Sequence, residues 1–183
     1  ALNLAFPLGD EADQFFNNKF QGKNWCYTST GKDAISLALS KFKLDKSDVV
    51  SIFTTTDNHY ISRCVTAEIE KHCNWSRKIE SNSKLIFVNH EFGFPHRDLT
   101  KLRSHGLPII EDACHSFLAN TEKNDMGARG DFILYSLPKV FPMQMGGILS
   151  ANKDYDISSP SDIEVVNYIK KVVGAYCKDV DYY

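Results

Sequence analysis

The sequence predicts an α/β fold, a three-layer sandwich in which a mostly parallel sheet is covered by helices on both faces. Two observations predict it. Apolar runs of strand length alternate with stretches of helical periodicity, the pattern left by parallel strands joined through crossover helices. The chain's 183 residues, 43% of them hydrophobic and 24% charged, also suit one globular domain with a substantial core.

The elements follow in chain order. Asp10 to Phe20 reads as a first helix. Ile35, Ala38, Leu39 and Phe42 then recur at the spacing of an amphipathic helix stripe. Val49-Val50-Ser51-Ile52-Phe53-Thr54 reads as a strand, and Tyr60 to Lys71 as the next helix. Leu85 to Asn89 is a second strand, followed by a turn at Gly93 and Pro95. Asp98 to Ser104 is a short helix, stopped by Gly106 and Pro108. Leu107 to Ile110 continues into Glu111-Asp112 as a third strand. Phe132 to Ser136 and Gly147 to Ser150 are the fourth and fifth, and Asp162 to Val173 is again helical.

Composition excludes several function classes. A formal net charge of -2 gives no electrostatic footprint for nucleic acid. No apolar run approaches the roughly 20 residues that span a bilayer. The start, Ala1 to Pro7, lacks the basic region of a signal peptide. Five scattered cysteines, none in a C-x-x-C pair, predict a reducing compartment rather than a disulfide framework. A soluble cytoplasmic protein is the expectation. Asn74-Trp75-Ser76 fits the glycosylation triplet, which without a secretion signal carries no weight.

In open parallel sheets ligands bind outside the carboxyl ends of the strands, so the residues after each strand are the ones to search. Three segments stand out. Thr28-Ser29-Thr30-Gly31-Lys32-Asp33-Ala34 enters the amphipathic helix. Its unpaired N–H groups at the positive helix end make an anion site, and Gly31 lets a phosphate approach the backbone. The same residues also serve an ordinary N-cap. In Ile110-Glu111-Asp112-Ala113-Cys114-His115 an acid ends a buried strand, where it stays ionised only if a cation or strong donor faces it. His115 reaches the same place if the chain turns helical after Asp112. A capping aspartate beside a satisfied histidine is the plainer alternative. In Tyr135-Ser136-Leu137-Pro138-Lys139-Val140-Phe141-Pro142, Lys139 follows a strand between apolar neighbours and two prolines. Desolvation there would favour the neutral, nucleophilic amine that Schiff-base chemistry needs. From this segment alone an ordinary loop lysine is the plainer reading.

Taken in order, these segments resemble the DegT/DnrJ/EryC1/StrS sugar aminotransferase family, of the aspartate aminotransferase fold type I. The resemblance is carried by Ser29-Thr30-Gly31-Lys32-Asp33-Ala34, His90-Glu91-Phe92-Gly93, Ile110-Glu111-Asp112-Ala113-Cys114-His115, Gly127-Ala128-Arg129-Gly130-Asp131, and Ser136, Lys139, Gly146 and Gly147. It covers roughly Asn24 to Asn152. Lys32 stands where the family usually has Thr, and Thr54 to His59 departs from its usual Pro-and-aromatic stretch.

The resemblance implies a cofactor, pyridoxal phosphate (PLP). It implies that Lys139 is the Schiff-base lysine and proton shuttle. Asp112 would pair with the ring nitrogen, and His115 would lie near the ring's phenolic oxygen. The phosphate would rest on Gly31 and Lys32, assisted by Ser136, and either His59 or Tyr60 would stack on the ring. It further implies two half-transaminations, with a keto-sugar nucleotide as acceptor, an amino acid such as glutamate as amine donor, and a homodimer. Residues 1–25 would be an N-terminal helical segment, 26–152 the PLP-binding large-domain core, and 153–183 a helix leading to a small domain that this truncated chain lacks. Two other readings are carried forward: a non-catalytic PLP-binding relative, and a phosphate- or nucleotide-binding module without PLP. A metal site on His90, Glu91 and His96 matches no common ligand spacing.

Overall fold

The computed structural model describes residues 5–57, 59–117 and 129–179. The chain runs through α1 (Glu11–Lys19), β1 (Asn24–Thr28), α2 (Gly31–Leu39), β2 (Val49–Thr54), α3 (Arg63–His72) and β3 (Asn74–Ser76). It continues through β4 (Ser83–Asn89), α4 (Leu99–Arg103), β5 (Ile109–Asp112), β6 (Phe132–Ser136), β7 (Gly147–Ala151) and α5 (Ile163–Asp179). The strands form one sheet in the order β1-β7-β6-β5-β4-β2-β3. All pairs from β6 to β3 are parallel, and β7 runs antiparallel between β6 and β1. The predicted α/β sandwich with a mostly parallel sheet is the observed one.

Strand alternation builds the layers. In β6, Phe132 and Leu134 face a core shared with Ala34, Ile35 and Ala38 of α2 and Val65 and Ile69 of α3. Ile133 and Tyr135 face the opposite core, with Phe16 of α1 and Ile169 and Val173 of α5. Leu99 and Leu102 of α4 cover Ile86, Val88 and Ile109. Phe16 is fully buried, with ring contacts to Phe20, Trp25, Tyr27 and Phe117. Beside it, Asp13 accepts from Tyr27 Oη at 2.6 Å and from Lys170 Nζ at 2.5 Å, tying α1, β1 and α5 together.

Four elements differ from the sequence reading. Strand β1 was not expected, because its five residues, Asn24-Trp25-Cys26-Tyr27-Thr28, lack an aliphatic run. Its apolar residues face both cores at once, Cys26 the first and Tyr27 the second. Strand β3 is only three residues at a mostly exposed edge. Helix α3 starts at Arg63, three residues later than expected, because the Ser62 hydroxyl caps it by accepting from Cys64 N at 3.3 Å. Helix α5 runs past Val173 to Asp179.

Candidate functional site

A cavity of about 470 Å³ lies over the carboxyl ends of the strands. Thr30 and Gly31 follow β1, Asn89 ends β4, Asp112 ends β5 and Ser136 ends β6, and all five line it. This is where an open α/β sheet places its ligands. Strand register gathers the pieces: Thr28 and Ser136 both pair with Gly147. A side chain at Gly147 would collide with Thr28 Oγ1 at 2.5 Å, so only glycine lets the three strands carry the 28–31 turn beside Ser136.

The entry of α2 forms an anion cradle. Thr30 is its N-cap; its Oγ1 accepts from Asp33 N at 3.2 Å and donates to Asp33 Oδ2 at 2.8 Å. Thr30 C=O accepts from Ala34 N at 3.2 Å. The Gly31 and Lys32 N–H groups therefore stand ahead of the helical ladder, at its positive end. Gly31 abuts Ser136 so closely that a Cβ would lie 3.0 Å from Ser136 Cβ and 3.4 Å from its Oγ. The Ser136 hydroxyl is thus beside the free N–H groups.

Asp112 is 7% exposed and its Oδ1 accepts from Cys114 N at 3.0 Å. Burial, reinforced by the Asp112 carboxylate, pushes the Cys114 thiol well above its ordinary range. Cys114 is accordingly a neutral wall of the cavity. Alternation along β5 sends Asp112 to the α2 face with Ile110, and sends Glu111 to the other face. There the Glu111 carboxylate, fully buried, meets His90 Nε2 at 2.7 Å and accepts from the backbone of Arg129 and Gly130. His90 Nδ1 accepts from His96 N at 3.1 Å. That assigns the imidazole proton to Nε2, donated to Glu111.

This buried pair anchors the 90–96 loop, which is tied down at several other points. Glu91 accepts from Thr56 N at 3.0 Å and Thr56 Oγ1 at 2.9 Å. Thr55 Oγ1 accepts from Glu91 N at 3.1 Å and donates to Phe94 O at 2.8 Å. Within the loop Phe92 adopts a left-handed backbone, φ 51° and ψ 30°, which costs a residue with a Cβ roughly 1–2 kcal/mol. Its ring projects into solvent, 77% exposed, and stacks on His115 at 5.7 Å and 18°. His115 Nε2 in turn lies 2.9 Å from Lys139 Nζ.

Gly31, Lys32, Ser136, Asp112, His115, Lys139 and Tyr60 thus line one cavity, whereas His59 is not among its lining residues. Tyr60 lines the cavity from the segment ahead of α3, and Cys64 and Val65 line it from α3 itself. One expectation is corrected. Lys139 is exposed, not desolvated. The turn Leu137–Lys139 points Leu137 inward and Lys139 out to the cavity mouth, while Val140 and Phe141 pack against the α1–α5 core. Gly127 and Ala128 lie outside the described residues. His90, Glu91 and His96 spend their polar atoms on Glu111, Thr56 and Asp98 N. Sequence reasoning missed Phe92 as a cavity residue. An aromatic immediately before a turn glycine was the available signal.

Comparison with known proteins bears on the family and the fold. A family described as "Putative PLP-dependent aminotransferase" matches residues 13–182. No curated protein matches the sequence. The fold is similar to that of an aminotransferase from Psychrobacter cryohalolentis, with TM-score 0.69 and 16% identity over 96% of this chain and 57% of that one. It is also similar to 3-amino-5-hydroxybenzoic acid synthase, with TM-score 0.69 and 14% identity over 93% of this chain and 57% of that one. GDP-4-keto-6-deoxymannose-3-dehydratase, solved with bound GDP-perosamine, gives TM-score 0.67 and 14% identity over 96% of this chain and 62% of that one. The chain spans less than two thirds of each of these longer chains.

Proposed function

This chain belongs to the family of PLP-dependent aminotransferases, and we propose on that premise that its cavity binds pyridoxal phosphate and moves an amino group. One observation carries the proposal. The Gly31 turn, the Asp112 carboxylate and the Lys139 amine come from three separate strand ends and line the same cavity.

The residues fit the cofactor. The cradle at Gly31 and Lys32, with the Ser136 hydroxyl, matches a phosphate, and a Cβ at Gly31 would press on Ser136 at 3.0 Å. Asp112 is the group to hold a proton at the ring nitrogen, since a buried carboxylate is most stable facing a cation. Lys139 is the amine to bind covalently and to move protons. Tyr60 and His59 remain the proposed stacking residues, with Tyr60 favoured by its place on the cavity wall. When bound, PLP supplies a carbonyl for amines and a ring that accepts electrons.

The proposed acceptor is a keto-sugar nucleotide and the donor an amino acid such as glutamate. The similarity in fold to a dehydratase solved with GDP-perosamine supports the first choice. On this reading residues 26–152 are the cofactor-binding core, 1–25 an N-terminal helical segment, and 153–183 the connection towards a small domain. The working unit is a cytoplasmic homodimer. Asp112→Asn tests the proposal. It should keep the far-UV circular dichroism of the native chain while weakening PLP binding about tenfold or more, the size of a lost charge-assisted hydrogen bond. Undiminished PLP affinity would remove Asp112 from the site.

A further inference from the structure

Phe92 carries three unusual features at once. It is a large aromatic residue in left-handed backbone, its ring is exposed, and that ring lies nearly flat on His115. A bulky residue with positive φ is found where surrounding structure over-determines it, often at functional sites. Here the over-determination is visible. The His90–Glu111 pair holds one end of the loop, and Thr55 and Thr56 hold the residues on either side of Phe92. Such a loop presents one ring to one imidazole. The other edge of that imidazole is 2.9 Å from the Lys139 amine, within the range for a general base.

We propose that Phe92 is a positioning residue that holds His115 as the proton acceptor for the Lys139 amine, an inference that rests on Lys139 being the amine that attacks a carbonyl. In that step the amine lone pair forms the C–N bond, the carbonyl π pair moves onto oxygen, and one N–H proton passes to His115 Nε2. Stacking on a flat ring stops the imidazole from rotating away. A neutral Nε2 acceptor requires the resting proton on Nδ1.

The test needs no PLP. The full chain is treated with formaldehyde and cyanoborohydride, and methylation of Lys139 is followed by peptide mass spectrometry against the exposed Lys41 and Lys43. Lys139 should react at least about fivefold faster than the two reference lysines, as base assistance requires. Phe92→Ala and His115→Gln should each bring it to the reference rate. The double variant should fall no further, because Phe92 acts through His115. Phe92→Tyr should restore the rate, and Phe92→Leu, which is apolar but not flat, should not. Far-UV circular dichroism and a urea midpoint equal to those of the native chain verify that each variant is folded. The proposal is overturned if Phe92→Ala leaves Lys139 as fast as before, if Leu serves as well as Tyr, or if Phe92→Ala still slows the His115→Gln chain. A chain that binds no PLP but passes this test would remove the cofactor assignment and leave the Phe92–His115–Lys139 relay standing.

Discussion

At Gly31 a side chain would crowd Ser136. Gly31→Ala places a Cβ 3.0 Å from Ser136 Cβ, so Ser136 must move away from the N–H groups it accompanies. The variant should fold normally, and PLP affinity by fluorescence titration should drop about tenfold, one lost hydrogen bond to an anion. Unaltered affinity would place the phosphate elsewhere. His90→Ala tests the opposite face of β5. It leaves a fully buried carboxylate without its imidazole partner, and urea denaturation should show a loss of about 3 kcal/mol. A loss below about 1 kcal/mol would mean that water replaces the ring. These two positions differ in how far the sequence exposes them. Gly31, Asp112 and Lys139 were legible because each follows a strand, and strand ends are where such sheets bind ligands. The His90–Glu111 pair joins residues 21 positions apart, and nothing in local spacing specifies such a partner. Lys139 was misjudged in one respect. Apolar neighbours in sequence suggested burial, but the Leu137–Lys139 turn directs them to a different core.

The 90–96 loop carries a pH dependence through His96. Burial lowers the pKa of His96 below the ordinary histidine value of 6.5, helped by His90 and opposed by Asp57 and Asp98. Its ring also accepts from Asp98 N at 3.2 Å, which only an unprotonated nitrogen can do. The folded state therefore prefers neutral His96, and below pH 6.5 the unfolded state binds more protons. Stability should fall as pH drops through 6.5 and this contribution should be constant above it. In urea denaturation at about pH 5.5 and 7.5, His96→Asn should show a smaller acid loss than the native chain. An equal loss in both would assign the effect to other groups. Among elements, long apolar strands and the α2 stripe were read correctly because each has one strong period. Strands β1 and β3 escaped because a five-residue mixed strand and a three-residue edge carry no period long enough to see. The start of α3 depended on which of several polar residues caps it, and Ser62 does.

For the whole molecule, the α1–α5 layer is held by one aromatic cluster. Phe16→Ala should cost about 3–5 kcal/mol in urea denaturation, since Phe16 is fully buried among rings from α1, β1 and the 113–117 segment. A small loss would show that the neighbouring rings collapse into the gap. Fold class was legible at this scale because alternation of strand and helix survives errors in any one element. The proposed dimer is a separate matter, and light scattering of the purified chain should give twice the monomer mass. The central claim, that Lys139 is the cofactor lysine, is tested most directly by covalent trapping. The chain is mixed with PLP, reduced with borohydride and digested, and the modified peptide is sequenced by mass spectrometry. Phosphopyridoxyl label on Lys139, reduced at limiting PLP when Asp112→Asn weakens binding, is the predicted result; label spread over other lysines, with Lys139 unmodified, would contradict it.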